Sequence, residues 1–132
     1  MKRMMVTVAL VVTVFVVTLF TVTLVRKEKK AQFFNGTYIR FSHHEFGKEW
    51  DTLTIKRIEE TDRYLIIRRW RYERVLDGKV LEPEYKKFKT TGQYLEKENL
   101  IVEEDSGLRF QWLAEKNELW AGTTIYKKIK EL

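Results

Sequence analysis

Residues 4–25 form a run of 22 uncharged residues, and no other feature of this sequence constrains the fold as strongly. Basic residues stand on both sides of the run, with Lys2 and Arg3 before it and Arg26 and Lys27 directly after it. As a helix the run would be about 33 Å long, enough to cross a hydrocarbon core of about 30 Å. Fourteen of its residues are Val or Thr, which favour strands in water, but in lipid every backbone amide must be paired within its own segment. The run therefore predicts a transmembrane anchor within residues 1–30.

A cleaved signal peptide is the alternative interpretation, because such peptides also begin with basic residues followed by an apolar stretch. The run is longer than the roughly 7 to 15 apolar residues usual for a signal peptide, and no small-residue cleavage site follows it. We therefore expect the anchor to be retained. The positive-inside rule leans slightly towards a cytoplasmic C-terminal domain, whereas a short basic start before one apolar run is typical of export.

The net charge of +6 is concentrated near the N-terminus. Residues 1–30 carry six Lys or Arg and one Glu, whereas residues 31–132 carry 19 basic and 18 acidic residues. Binding to nucleic acid loses its main support, because the excess charge lies beside the apolar run and not on the domain. The sequence has no Cys, which excludes disulfides, thiolate metal sites, a Cys nucleophile and an acylated lipoprotein Cys.

After a short tether at residues 31–35, we expect one folded domain over residues 36–132. Short runs of β-branched and aromatic residues recur there between turn signals, which is typical of an antiparallel all-β domain. Asp77-Gly78 and Ser106-Gly107 supply Gly for tight hairpins. The predicted strands are residues 37–42, 52–59, 63–76, 84–95, 99–104, 108–113 and 119–129.

The longest predicted strand, residues 63–76, shows how the sheet packs. Its even-numbered side chains carry the aromatic rings and are expected to face inwards, namely Tyr64, Ile66, Arg68, Trp70, Tyr72 and Arg74. Closing the sheet on itself would remove its edges. The predicted fold is therefore all-β, a small antiparallel up-and-down barrel or half-barrel preceded by one N-terminal transmembrane helix. A two-sheet sandwich is the second choice, and we expect a barrel interior filled by its own side chains.

Several turn and strand-end motifs resemble a group of uncharacterised small bacterial envelope proteins. They are Gly36-Thr37-Tyr38, Glu45-Phe46, Asp51-Thr52-Leu53, Ile67-Arg68-Arg69, Tyr72-Glu73-Arg74, Asp77-Gly78-Lys79, Pro83-Glu84-Tyr85-Lys86, and Gly122 with Tyr126-Lys127-Lys128. The resemblance covers most of residues 36–129 and implies a lipocalin-like barrel behind an N-terminal signal or lipoprotein anchor. This chain has no Cys to acylate, so a proteinaceous anchor would replace the lipid. The resemblance implies no catalytic residues.

The chain has one cluster that contains His, formed by His43, His44 and Glu45, which makes it the candidate zinc site. Adjacent residues of an extended segment point in different directions, so an exposed loop between the first two strands is the favoured interpretation. The acidic run from Glu103 to Asp105 lacks the spacing of a calcium loop and is interpreted as a solvated strand end. Ser42 and Ser106 show no His and Asp partner arrangement. We therefore predict no catalytic, cofactor-binding or metal-ligating residues and no enzyme activity.

The run of residues 68–74 mixes Arg with Trp and Tyr, as do sheets that stack single-stranded bases. Alternation separates Trp70 and Tyr72 from Arg69 and Arg71, which weakens that interpretation. We expect these Arg side chains to pair across strands with Glu59, Glu103 or Glu104.

The sequence thus favours a membrane-anchored, non-catalytic binding or accessory protein of the bacterial envelope. We expect it to sit in the inner membrane with its barrel in the periplasm, and to need no cofactor. Its expected partners are the membrane and an envelope protein, contacted through residues 43–50 or the rim at residues 77–84. A cytoplasm-facing module that contacts nucleic acid and a carrier of a small apolar ligand are the alternatives.

Overall fold

The structure is a computed structural model that describes the backbone of residues 2–132 and the side chains of residues 7–25 and 33–132. The chain divides into two compact units, Met1–Gln32 and Phe33–Leu132. The first unit is helical and the second is built almost entirely from strands.

Helix α1 spans Lys2–Gln32. Its segment Thr7–Val25 has a mean hydropathy of 2.8 and is long and apolar enough to cross a membrane, a criterion that N-terminal signal sequences also meet. The side chains of residues 4–6, the start of the predicted span, lie outside the described residues. Thr hydroxyls in the segment bond back to carbonyls of the same helix, as Thr13 does to Ala9 at 2.8 Å. This back-bonding satisfies the hydroxyl in apolar surroundings without a partner helix.

Residues 33–132 form nine strands and one short 3-10 turn, Ala114–Lys116. The strands are β1 (Gly36–His44), β2 (Gly47–Arg57), β3 (Arg63–Leu76), β4 (Lys79–Val80), β5 (Glu84–Leu95), β6 (Leu100–Glu103), β7 (Arg109–Leu113), β8 (Glu118–Ala121) and β9 (Thr124–Lys130). The short strand β4 pairs only with the end of β3. The other eight strands pair antiparallel in chain order, and β9 pairs with β1. The result is a closed up-and-down barrel of eight strands, which confirms the predicted barrel and shows the sandwich alternative to be wrong.

The predicted strands differ from the structure chiefly in two places. The predicted last strand, residues 119–129, is broken into β8 and β9 by a turn in which Gly122 has φ of 60°. The predicted loop between the first two strands is instead a tight hairpin, because β1 continues to His44 and β2 already begins at Gly47. The Asp77-Gly78 hairpin is confirmed: φ is 49° and 73° at the two positions, as a two-residue turn with positive φ requires.

One end of the barrel is filled by its own aromatic side chains. Tyr38 and Tyr64 are fully buried there. Phe34 covers this end: its ring packs edge-on against Tyr64 at 6.0 Å and Tyr94 at 5.8 Å, and its carbonyl accepts the Tyr38 hydroxyl at 2.8 Å. These contacts seal one end of the lumen and make Phe34 part of the barrel core.

The boundary between helix and barrel differs from the expected tether at residues 31–35. Helix α1 continues to Gln32, two residues into that stretch, and Phe34 is 1 % exposed. Phe34 lies only two residues before β1, so its ring can reach the core and be buried there. The folded unit therefore includes residues that precede its first strand.

Four strands continue beyond the closed part of the barrel. β1 pairs with β9 over residues 37–39, and β5 pairs with β6 over residues 92–95. Beyond those paired residues, the remaining parts of β1, β2, β3 and β5 form a four-stranded sheet that we call the extension. It is made of residues 40–44, 47–52, 67–76 and 84–89. Closure therefore removes the sheet edges only in the barrel proper. The β5 edge of the extension carries Lys86, Lys87 and Lys89, and such charges discourage edge-to-edge pairing.

Candidate functional site

The end of the barrel opposite Phe34 contains a cavity of about 610 Å³, which we call the lumen cavity. Its volume falls within the range of roughly 300–1,000 Å³ that is typical of small-molecule sites. The predicted filled interior is therefore correct for one end of the barrel and wrong for the other. The lumen cavity has an apolar wall formed by Leu53, Ile66, Phe88, Leu108, Phe110 and Ala121.

The polar wall of the lumen cavity is centred on an ion pair between neighbouring strands. Asp51 of β2 accepts hydrogen bonds from Arg68 of β3, with Nε at 2.9 Å from both carboxylate oxygens and Nη2 at 2.5 Å from Oδ2. Tyr126 of β9 donates its hydroxyl to the same Oδ2 at 2.7 Å. Burial, followed by the bond to Asp51, raises the pKa of Tyr126, and the bond to Asp51 raises the pKa of Arg68. The guanidinium therefore stays charged and the phenol stays neutral at physiological pH.

Arg68 keeps part of its guanidinium available to the cavity. Its side chain is 41 % exposed, whereas the side chain of Asp51 is fully buried. Asp51 engages Nε and Nη2, and Nη1 forms no hydrogen bond to any group in the described part of the chain. A guanidinium offers five N–H donors, so donors remain for an acceptor group on a ligand.

The two carboxylates at the rim of the lumen cavity are already engaged. Asp105 accepts a hydrogen bond from the Thr90 hydroxyl at 2.6 Å, and Glu103 accepts one from the Ser106 hydroxyl. The rim acids therefore serve as acceptors for their own neighbours, and the cations of the lining are Arg68 on β3 and Lys87 and Lys89 on β5.

Aromatic side chains continue the lumen onto the inner face of the extension. The rings of Trp70 and Tyr72 stack at 5.4 Å, and His44 stacks on Tyr72 at 6.1 Å. Lys86 Nζ lies 5.1 Å from the centroid of the Trp70 ring. This inner face leads to the lumen cavity along the same side of β3 that was predicted to point inwards, and the burial of Tyr64 and Ile66 confirms that prediction.

The structure separates the three residues of the predicted His cluster. His43 and His44 are successive residues of β1, so their side chains lie on opposite faces of the extension. Glu45 lies in the turn before β2. Among the described residues, no group of three His, Asp or Glu side chains is placed to hold a metal ion. The interpretation of this segment as a loop is wrong, because it is a hairpin.

Three of the four Arg residues in the run 68–74 are paired, but not with the predicted partners. Arg68 pairs with Asp51, Arg71 with Glu73, and Arg74 with Glu84 at 3.1 Å. The prediction named Glu59, Glu103 and Glu104. Glu104 instead pairs with Arg63 at 2.7 Å. Hydrogen bonds from Thr91, the larger contribution, and from Arg63 lower the pKa of Glu104. Register explains the error, because β3 runs beside β2 and β5, whereas Glu103 is the last residue of β6 and Glu104 follows it.

Sequence reasoning missed Asp51 and Tyr126 as site residues. They are 75 positions apart, and only closure of the barrel brings β9 near the pair on β2 and β3. A weak signal was present, since Asp51 interrupts the apolar alternation that continues at Leu53 and Ile55 on the same face of β2. A charged residue at an inward position calls for a buried partner.

No protein-family model, curated protein or solved structure matches this chain.

Proposed function

We propose that this chain is a single-pass, membrane-anchored and non-catalytic binding protein of the bacterial envelope, whose barrel takes a small apolar or amphipathic ligand in the lumen cavity. The apolar body of the ligand packs against Leu53, Phe88 and Phe110. Its polar end is a hydrogen-bond acceptor, such as a carboxylate or a phosphate, held by Arg68. The lumen cavity, with one guanidinium edge unengaged among apolar walls, is the observation that carries this proposal.

The placement of the protein rests on other grounds. Thr7–Val25 supports an anchor by its length and hydropathy. The envelope location and the periplasmic orientation rest on the sequence resemblance and on the basic residues before the apolar run. Fusing alkaline phosphatase or a cytoplasmic fluorescent protein to the C-terminus tests the orientation: active phosphatase with a dark fluorophore supports it, and the reverse pattern contradicts it.

Equilibrium dialysis of radiolabelled octanoate against the full chain in nanodiscs tests ligand binding, with empty nanodiscs as the blank. Thr90 lies in the lining of the lumen cavity, so Thr90→Trp should fill the space and abolish saturable binding. Thr54 lies on the outward face of β2, where it is not part of that lining, so Thr54→Trp is the matched control and should bind like the wild type. Equal binding by both variants would contradict a ligand site in the lumen.

A further inference from the structure

The outer face of the extension carries an uncompensated positive charge. Its outward positions include five basic residues and a single acidic one, namely Lys48, Arg69, Arg71, Lys87 and Lys89 against Glu73. Arg71 pairs with Glu73, whereas Arg69 and Lys87 form no ion pair within the described part of the chain. On the inner face, by contrast, Arg40, Arg68 and Arg74 are each paired with a carboxylate, and Lys86 lies against the Trp70 ring. The extension is therefore polarised, with its basic side on the outer face.

A row of aromatic side chains crosses the same face. Phe41, Trp50, Arg71 and Tyr85 stand directly opposite one another on β1, β2, β3 and β5. The guanidinium carbon of Arg71 lies 4.5 Å from the centroid of the Trp50 ring and 5.9 Å from that of Tyr85. Phe41 is 55 % exposed and Tyr85 is 70 % exposed. Large exposed rings beside unpaired cations mark an interaction surface.

The arrangement of the rings discriminates between two anionic partners. Single-stranded nucleic acid binds by stacking its bases on open ring faces. Here Arg71 covers one face of Trp50 and Phe41 packs against the same ring at 5.3 Å, so these rings contact one another and a cation and do not form a row of separate stacking platforms. Ile39, which is 40 % exposed on the same face, has no ring for a base to stack on. Aromatic and aliphatic side chains mixed with Lys and Arg are typical of surfaces that enter the headgroup region of a bilayer.

The closeness of the apolar segment to the barrel unit in the sequence also favours a bilayer as the partner. Seven residues separate Val25, the last residue of the apolar segment, from Phe33, the first residue of the barrel unit. If that segment is anchored, the barrel stays at a high effective concentration beside the bilayer, and weak contacts with lipid become significant. We propose that the outer face of the extension binds the anionic headgroup surface of a bilayer. This inference rests on the anchoring half of the proposed function and is independent of the lumen ligand.

A fluorescent label on the outer face tests the inference in the full chain. Because the sequence has no Cys, His43→Cys gives a single labelling site on the outer face for an environment-sensitive dye. Gln111→Cys, at an exposed position of β7, gives the control site. In nanodiscs containing about 30 % phosphatidylglycerol, the dye at position 43 should shift to shorter wavelength relative to pure phosphatidylcholine, and the dye at position 111 should not.

Charge variants distinguish this face from general attraction to lipid. Arg69→Gln with Lys48→Gln, two outward positions that do not line the lumen cavity, should weaken docking roughly thirtyfold, because each basic residue near an anionic surface contributes about a factor of five. Arg109→Gln with Lys127→Gln removes the same charge from exposed positions of β7 and β9 and should leave the response intact. Circular dichroism verifies that all variants are folded.

The outcomes separate the inference from the anchor. A chain that elutes free of the nanodiscs contradicts the anchor itself. A chain that is retained but whose label at position 43 does not distinguish the two lipids overturns the docking inference alone. The inference is also overturned if an oligo(dT) strand, added at low salt, shifts the label at position 43 while anionic lipid does not.

Discussion

The carboxylate of Asp51 is fully buried, yet its ion-pair partner Arg68 keeps 41 % of its side chain exposed. One side of the ion pair is therefore buried, which we call the dry side, and the other side is accessible to solvent. Asp51 and the Tyr126 hydroxyl lie on the dry side and fix the guanidinium, and the free edge of Arg68 belongs to the lumen cavity. A polar group held so firmly at the edge of an apolar space can receive a ligand without rearrangement.

Asp51→Asn should destabilise the barrel by about 2 to 3 kcal/mol, because it leaves the guanidinium without a counter-charge and weakens charged hydrogen bonds. Tyr126→Phe alone should cost about 1 kcal/mol, since it removes one of those bonds. The double variant should cost clearly less than the sum, because both changes act on the same carboxylate. Urea unfolding measures these energies. Strict additivity, or a neutral Asp51→Asn, would show that the three groups are not coupled.

The barrel should lose stability steeply above pH 10. Burial raises the pKa values of Tyr38, Tyr64 and Tyr126 above the ordinary value of about 10. The folded state therefore keeps protons that the unfolded state releases, so this contribution is complete below pH 10 and is lost as the pH rises towards the folded-state pKa values. Urea unfolding at pH 9 and pH 11 measures the loss. Tyr126→Phe should make the decline shallower, and an unchanged slope in that variant would argue against a buried Tyr126.

Gly92 should tolerate no side chain. A Cβ there would lie 2.6 Å from Cγ2 of Ile101 and 3.0 Å from Cδ1 of Ile66, inside the barrel core. Gly92→Ala should therefore cost about 1 to 3 kcal/mol of unfolding free energy, as overpacked cores do. Gln93→Ala is the matched control, because Gln93 is the next residue of β5 and is exposed; its effect should stay within about 0.5 kcal/mol. If the two variants are equally stable, the strands are not packed as closely as described.

Much of the fold could be predicted because local patterns in the sequence determine it. The alternation of apolar residues identified β3 and its inner face, and the uncharged run identified α1. The hairpin from His43 to Trp50 was missed for a physical reason: it belongs to the extension, where both faces are wet, so its residues do not alternate between apolar and polar. Phe34 was missed because a single buried residue outside a strand belongs to no alternating pattern of apolar and polar residues.

The candidate site was less predictable than the fold. Arg68 was placed correctly on the inner face, but its partner was not, since the choice among carboxylates depends on strand register and not on composition. Asp51 and Tyr126 meet only through closure of the barrel. The empty part of the lumen depends on how far Phe88 and Phe110 reach across it, and that distance is a property of the packed barrel.

Methyl NMR of the full chain in nanodiscs during a titration with octanoate tests the lumen site most directly. The methyl groups of Leu53 and Ala121 line the lumen cavity, and those of Ile55 and Leu119 lie in the core and outside that lining. Saturable shifts at Leu53 and Ala121, with little change at Ile55 and Leu119 and none of these shifts in Thr90→Trp, are the predicted result. Shifts that never saturate, or that are equal at all four residues, would contradict a ligand-binding lumen.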